Sequence, residues 1–277
     1  VLMDLANRRL FFFMVEIWPH EFYCVAGLLS MAGLGLFLLT AAAGRVWCGY
    51  ACPQTVWTDL FILVERWIEG DRNARVRLWN APWNGHKLRL RLTKWVIWLL
   101  IAVATGGAWI FYFTDAPTLL RDLVTGQAHP VAYITMAILT ATTFVFGGFA
   151  REQICIYACP WPRIQAAMMD EDTLTVAYRD WRGEPRGKQA VETNGDCIDC
   201  MACVNVCPMG IDIRNGQQMA CITCGLCIDA CNDVMDKIGK PRGLIDYIAL
   251  TDETRERAGE APKSVWKHVL RPRTILY

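Results

Sequence analysis

Three long runs without a charged residue dominate the hydrophobic pattern of the chain. They are Phe22 to Gly44 between Glu21 and Arg45, Trp95 to Thr114 between Lys94 and Asp115, and Leu123 to Ala150 between Asp122 and Arg151. A helix needs about 20 apolar residues to cross roughly 30 Å of hydrocarbon, so each run is long enough to span a membrane. Buried core helices are the competing explanation, but a soluble core rarely calls for three such runs parted by strongly charged loops. The stretch Thr55 to Ile68 differs in kind: Trp57, Phe61, Trp67 and Ile68 are mixed with Asp59, Glu65 and Arg66, the character of a helix lying in the membrane interface. Further on, Arg182-Gly-Glu-Pro-Arg-Gly187 predicts a linker into a soluble domain.

Orientation follows from the loops. Between the first and second runs stand Arg45, Arg66, Arg72, Arg75, Arg77, Lys87, Arg89, Arg91 and Lys94, whereas the loop between the second and third offers only Arg121. Basic loops stay cytoplasmic, which places everything from Arg151 onward on the cytoplasmic side and Val1 outside, with Arg8 and Arg9 as a mild exception. An outside Val1, and a basic, increasingly apolar stretch from Lys267 to Tyr277, predict a piece of a longer chain with a further span upstream.

Composition sharpens this picture. The 277 residues are 54% hydrophobic, include 12 Trp and 13 Cys, and carry a net charge of +1. Near-neutrality implies no nucleic acid or other strongly charged partner. The cysteines fall at metal-ligand spacings and no cleavable signal peptide is visible, which favours metal binding over secreted disulfides.

Cys197, Cys200, Cys203 and Cys207-Pro208 follow C-x2-C-x2-C-x3-C-P, and Cys221, Cys224, Cys227 and Cys231 repeat the spacing with Asn232 in place of the proline. In bacterial two-cluster ferredoxins the fourth cysteine of each run ligates the other cluster. One 4Fe-4S cluster is therefore expected on Cys197, Cys200, Cys203 and Cys231, and a second on Cys207, Cys221, Cys224 and Cys227. Structural zinc uses four ligands at a time and does not demand eight cysteines in two matching runs.

A second repeat lies at the ends of the first and third apolar runs: Arg45-Val-Trp-Cys48-Gly-Tyr-Ala-Cys52-Pro53 and Arg151-Glu-Gln-Ile-Cys155-Ile-Tyr-Ala-Cys159-Pro160. Cysteines at i and i+4 share a helix face, and the topology sets both copies at one membrane face, where four sulfurs can converge. Soft thiolates at Cys48, Cys52, Cys155 and Cys159 suit copper, a redox-active thiol pair, or a third cluster shared by the copies. Two structural disulfides or four free buried thiols are the non-functional alternatives, and spacing does not choose. Arg45 and Arg151, each just before a copy, either steady thiolate charge or meet lipid phosphate. Cys24, His20 and His129 would lie toward the outer face, and Met31, Met136, Met168, Met169 and Met201 are scattered; packing explains such residues more simply than a metal path.

These residues carry a resemblance to the CcoG/FixG/RdxA family of cytochrome c oxidase accessory proteins. The matching phrases are Asp4-Leu-Ala-Asn-Arg-Arg9, Gly44 to Trp57, Glu65 to Asp71, Arg151 to Pro160, Asp172-Thr-Leu174, Arg182 to Gly187, Gly195 to Cys203, Gly210 to Arg214 and Cys221 to Lys237, nearly the whole chain. Small departures are Ala6, His20 and Trp161-Pro162, none of which removes a ligand. The resemblance implies a multi-pass protein of the bacterial inner membrane that serves assembly of cbb-type cytochrome c oxidase by reducing copper(II) to copper(I). It also implies an earlier span, a later one and a C-terminal β-sandwich beyond the present chain.

The expected fold is an α-helical membrane protein with a cytoplasmic α+β two-cluster ferredoxin domain of bacterial type. Residues 1–181 form the membrane domain, with spans at about 22–44, 95–114 and 123–150; 182–240 form the ferredoxin domain; 241–277 are a connector toward a further span. Expected partners are membrane lipid, a cytoplasmic electron donor, and copper-handling and oxidase assembly proteins. A quinol-linked relay of the nitrate or nitrous-oxide respiration type and a non-catalytic copper scaffold are the rival functions.

Overall fold

The computed structural model describes residues 1–4, 8–187 and 194–276. Ala6 of the Asp4–Arg9 phrase and residues 188–193 of the expected ferredoxin domain lie outside the described residues. The chain is mostly helical and divides into two compact units: Val1–Met31 with Pro53–Arg151, and Ala32–Cys52 with Glu152–Tyr277.

Among the described residues, three helices are long and apolar enough to cross a membrane: Pro19–Ala43, Gly85–Tyr112 and Pro130–Ala158. The second and third depart from the runs read off the sequence. The second begins at Gly85, capped by the Asn84 side chain, so Lys87, Arg89, Arg91 and Lys94 ride on its first turns instead of in a loop. The uncharged run 123–150 is not one helix. The helix Ala116–Thr125 ends at Gly126, whose φ of +76° is a left-handed cap, and His129 and Pro130 start a new helix that runs on past Arg151.

In the first unit, Leu2–Asp4, Arg9–Phe12 and Val15–Ile17 form a small antiparallel sheet in sequence order. The helix Pro53–Glu69 buries Thr55, Thr58, Phe61, Val64 and Glu65 along one face. Phe61 stacks on Trp98 of the helix Gly85–Thr105 with ring centroids 5.2 Å apart, and Trp98 Nε1 donates to the Phe61 carbonyl. Gly147 and Gly148 make room for this pair, since a Cβ on Gly148 would lie 3.0 Å from the Trp98 ring. Close backbone approach through small residues recurs where Gly106 meets Thr143, as in packing between membrane helices.

Beneath that aromatic pair lies an ion cluster. Glu65, 5% exposed, takes both Arg151 Nη1 (3.2 Å) and Nη2 (2.7 Å), together with Lys94 Nζ (3.3 Å) and Arg75. Burial opposes the Glu65 charge, but Arg151, Lys94 and Arg75 outweigh it and hold the carboxyl below the usual carboxylate range.

The second unit centres on Val176, Tyr178, Cys197, Cys203, Ile213, Cys231, Met235, Leu244 and Ile245. Thr175–Tyr178 pairs antiparallel with Ile245–Ile248, joining segments on either side of the cysteine runs. The boundary expected at 182 therefore passes through a folded unit. Nor is 182–187 a free linker: Arg182 is bonded to Asp196 and to the carbonyls of Pro241 and Arg242. The tail from 241 is likewise no loose connector. It supplies a strand and the helix Leu250–Arg257, and buried His268 sits 2.6 Å from Asp252.

Removing the shared anion leaves Arg151 and Arg75 without a carboxylate, while Lys94 keeps Glu69 at 2.9 Å; breaking such a buried network typically costs about 3 kcal/mol. Glu65→Ala is therefore expected to lower unfolding free energy by that order. Arg75→Ala, which leaves Glu65 two other cations, should cost less than about 1 kcal/mol. Denaturant titration of the detergent-solubilised protein checks both.

Candidate functional site

The two cysteine runs use one backbone plan. The residue two places after the first cysteine, Asp199 or Thr223, has φ of +52°, and the residue after the second, Met201 (+60°) or Gly225 (+76°), is also left-handed. Such reversals turn successive N–H groups inward and make a concave cradle for anionic sulfur. In the second run the Thr223 amide donates to Cys221 Sγ at 3.4 Å. The runs then pass into short and long helices, Ala202–Val206 and Leu226–Ile238, which pack on each other.

Each fourth cysteine stands with the other run. Burial pushes the Cys231 thiol up to about 12, and the next influences on it are Cys203, Cys200 and Cys197. Cys227 is pushed up to about 12 in the same way, with Cys221, Cys224 and Cys207 acting next. Cys207, Cys221, Cys224 and Cys227 line one cavity whose remaining wall includes Met209, Ile211 and Ile213. An all-thiol donor set in an apolar wall with inward amides fits a 4Fe-4S cluster; binding draws the protons off these thiols, because iron takes thiolate. Asn232, in the place of the missing proline, accepts a hydrogen bond from the Gly243 amide (3.0 Å) and ties the long helix to the chain entering Ile245–Ile248.

The paired motif also repeats in three dimensions. Cys48 lies in the short helix Val46–Tyr50, Cys155 in the wide turn Ile154–Ala158, and each Cys-Pro leads into the next helix. Burial pushes Cys48 up to about 11, with Cys52, Cys155 and Cys159 adding to the rise and Arg45 opposing it. The four sulfurs thus share a neighbourhood, and no disulfide ties the copies in this structure. Cys48 and Cys155 belong to one apolar cluster with Met209, Ile222, Cys207 and Cys224. The paired motif and the second cysteine run are direct neighbours.

Several contributors to this site carry no motif. Gln165, fully buried, accepts from Cys48 Sγ (3.1 Å) and donates to Thr40 (3.3 Å), which holds the first copy's thiol from the helix after the second copy. Tyr50 donates to the Cys224 carbonyl (2.6 Å), and Tyr247 to that of Thr223 (2.8 Å). A helix-compatible Gln has no sequence signature; Tyr50 lies inside the repeated C-x-Y-A-C-P, and that recurrence was the available signal. Trp161 packs on Phe37, and the Pro162 carbonyl accepts from Arg45, so both departures from the family phrase sit in the site. By contrast Cys24 and His20 are exposed, and His129 caps its helix by accepting from Val131. Of the methionines, Met136 packs against Gly107 and Met201 accepts from Arg214.

A family profile described as a 4Fe-4S dicluster domain matches residues 150–250, and one described as a 4Fe-4S binding domain matches residues 25–71, which contain Cys48 and Cys52. Protein RdxB of Cereibacter sphaeroides is 78% identical over 282 residues, covering all of this chain and 59% of its own length. Nitrogen fixation protein FixG of Rhizobium meliloti is 60% identical over 306 residues, covering all of this chain and 58% of its own. The chain belongs to the FixG/RdxA family. It carries the 4Fe-4S domains that these profiles describe, and it spans about three-fifths of the length of these curated relatives. The ferredoxin-type protein NapH of Escherichia coli is a more distant likeness, 26% identical over 209 residues, 71% of this chain and 62% of its own. No solved structure matches the chain.

Gly225 of this FixG/RdxA chain occupies the left-handed position that Met201 fills in the other run. A side chain in that conformation costs about 1–2 kcal/mol. Gly225→Ala should lower stability by that amount while iron per chain holds, as measured by denaturant titration and iron assay.

Proposed function

We propose that this chain delivers single electrons to copper(II) at the paired thiol motif, as part of a metalloreductase for assembly of cbb-type cytochrome c oxidase. The membrane is the bacterial inner membrane, with the ferredoxin module on its cytoplasmic face. The observation that carries this reading is the packing of Cys48 and Cys155 with Cys207 and Cys224 in one apolar cluster. Family membership and the basic loop between the first two apolar helices also support it.

Cys197, Cys200, Cys203 and Cys231 would hold one 4Fe-4S cluster, and Cys207, Cys221, Cys224 and Cys227 the other. Bound there, such clusters supply one-electron chemistry over a wide range of potentials. The chain's own residues do the rest. Tyr50 and Tyr247 fix the backbone of the second run by bonding the Cys224 and Thr223 carbonyls. Gln165 orients the Cys48 sulfur toward the shared neighbourhood of Cys52, Cys155 and Cys159. Copper(II) is the substrate: it takes one electron, ultimately from a reduced cytoplasmic carrier, and leaves as copper(I), with no proton transferred. Soft sulfur donors favour that product over the reactant.

The likeness to NapH supports a second reading, a relay that accepts electrons from quinol. Reduction of the purified protein by a quinol analogue distinguishes the two, because the metalloreductase does not require it.

Replacing Cys48 and Cys159 together by Ser is expected to abolish copper(II) reduction while iron stays at about eight per chain, the content of two clusters. Unchanged turnover in the double variant refutes the copper assignment. About twelve irons in the unaltered protein would instead mean a third cluster on the paired motif.

A further inference from the structure

The two arginines that open the repeated motif meet different fates. Arg151 is neutralised, its guanidinium laid across both oxygens of Glu65. Arg45 is not. It is 4% exposed, and its partners are three carbonyl oxygens: Met219 and Cys221 (3.3 Å) in the second cysteine run, and Pro162 (2.7 Å) after the second Cys-Pro. Its Nε has no hydrogen-bond partner, and no carboxylate pairs with it among the described residues. A buried guanidinium without an anion is costly and calls for a counter-charge.

The first cysteine run is built otherwise. Arg214, beside Cys203, is paired with Asp199 (2.6 Å) and Asp212 (2.7 Å). Arg182, which acts on Cys231, shares Asp196 with Lys240. Three cations there face three carboxylates. Near the second run, the Arg45 charge acts on both Cys221 and Cys48 without such compensation.

We infer that Arg45 is the counter-charge and positioning residue of the cluster held by Cys207, Cys221, Cys224 and Cys227, and that it sets this cluster's reduction potential above that of its neighbour. The inference rests on the cluster reading of the two runs. Reduction adds one negative charge to a cluster, so a fixed cation nearby stabilises the reduced form, and the low dielectric around a buried group strengthens the effect. By holding the Met219 and Cys221 carbonyls, the same guanidinium also fixes the loop that carries the ligands. Its position makes the first thiol motif part of the second cluster's surroundings and leaves the first cluster untouched.

The test is redox titration of the purified membrane protein, followed by electron paramagnetic resonance with iron quantified. The signal of the second cluster is identified by its loss in Cys224→Ser. In Arg45→Gln that signal's midpoint should move negative while the other stays fixed, and Arg45→Lys, which keeps the charge, should restore most of the shift. Should Arg45→Gln fail to fold, Met219→Glu serves, because Met219 is 61% exposed and lines the same cavity as Arg45. A carboxylate there should shift the same midpoint negative with the arginine still present. Midpoints unmoved with about eight irons retained overturn the inference, as does an equal shift of both clusters. A wild-type protein with only about four irons overturns the underlying cluster reading instead, so the two failures are told apart.

Discussion

The backbone of Gly49 sits against the loop that carries Cys224. A Cβ on Gly49 would fall 2.7 Å from the Ile222 carbonyl oxygen, a distance at which something must shift, and a tight 3.1 Å from the Cys224 Cα. This contact, between two main chains with no side chain intervening, is the constraint on which the rest of the site depends. It lets Tyr50 reach the Cys224 carbonyl, lets Arg45 reach Cys221, and brings Cys48 into the apolar cluster with Cys207. Gly49 is needed for close approach rather than for an unusual backbone angle, in contrast to Gly225, which sits in a left-handed turn.

The internal repeat is also more informative in its asymmetry than in its symmetry. Both copies place a cysteine at a helix end and a Cys-Pro before the next helix, and both begin with arginine. One arginine closes an ion cluster under the Phe61–Trp98 stack, where it serves stability. The other is held by carbonyl oxygens at the edge of the second cysteine run. The same short phrase thus closes an ion cluster in one copy and borders the second cysteine run in the other, because the segments that fold against each copy differ.

How much of this was legible in the sequence depends on how local the governing physics is. Ligand spacing is local, since two-residue gaps and a following proline are written within twelve positions, so the eight cysteines stood out. Long apolar runs announced three helices, although counting charges alone merged 123–150 across Gly126 and Pro130, whose cap and helix-start chemistry divides them. The pairing of Thr175–Tyr178 with Ile245–Ile248 was invisible because each strand is four residues long and its partner lies about seventy residues away. Gln165 and the divergence of Arg45 from Arg151 were equally hidden: partners more than eighty residues distant define them.

The end of the first apolar helix has a bearing on how such a chain is made. The Ala41 carbonyl accepts from Thr173 Oγ1 and from Arg271 Nη2, and the Ala42 carbonyl from the Leu174 amide. The Arg271 bond spans 230 positions. As the chain leaves the ribosome, the last turn of that helix therefore waits, with carbonyls open to water, until distant segments have been translated and folded back. Insertion of the helix and completion of its end are separate events in time, and the second marks the moment when the cysteine-bearing unit has closed.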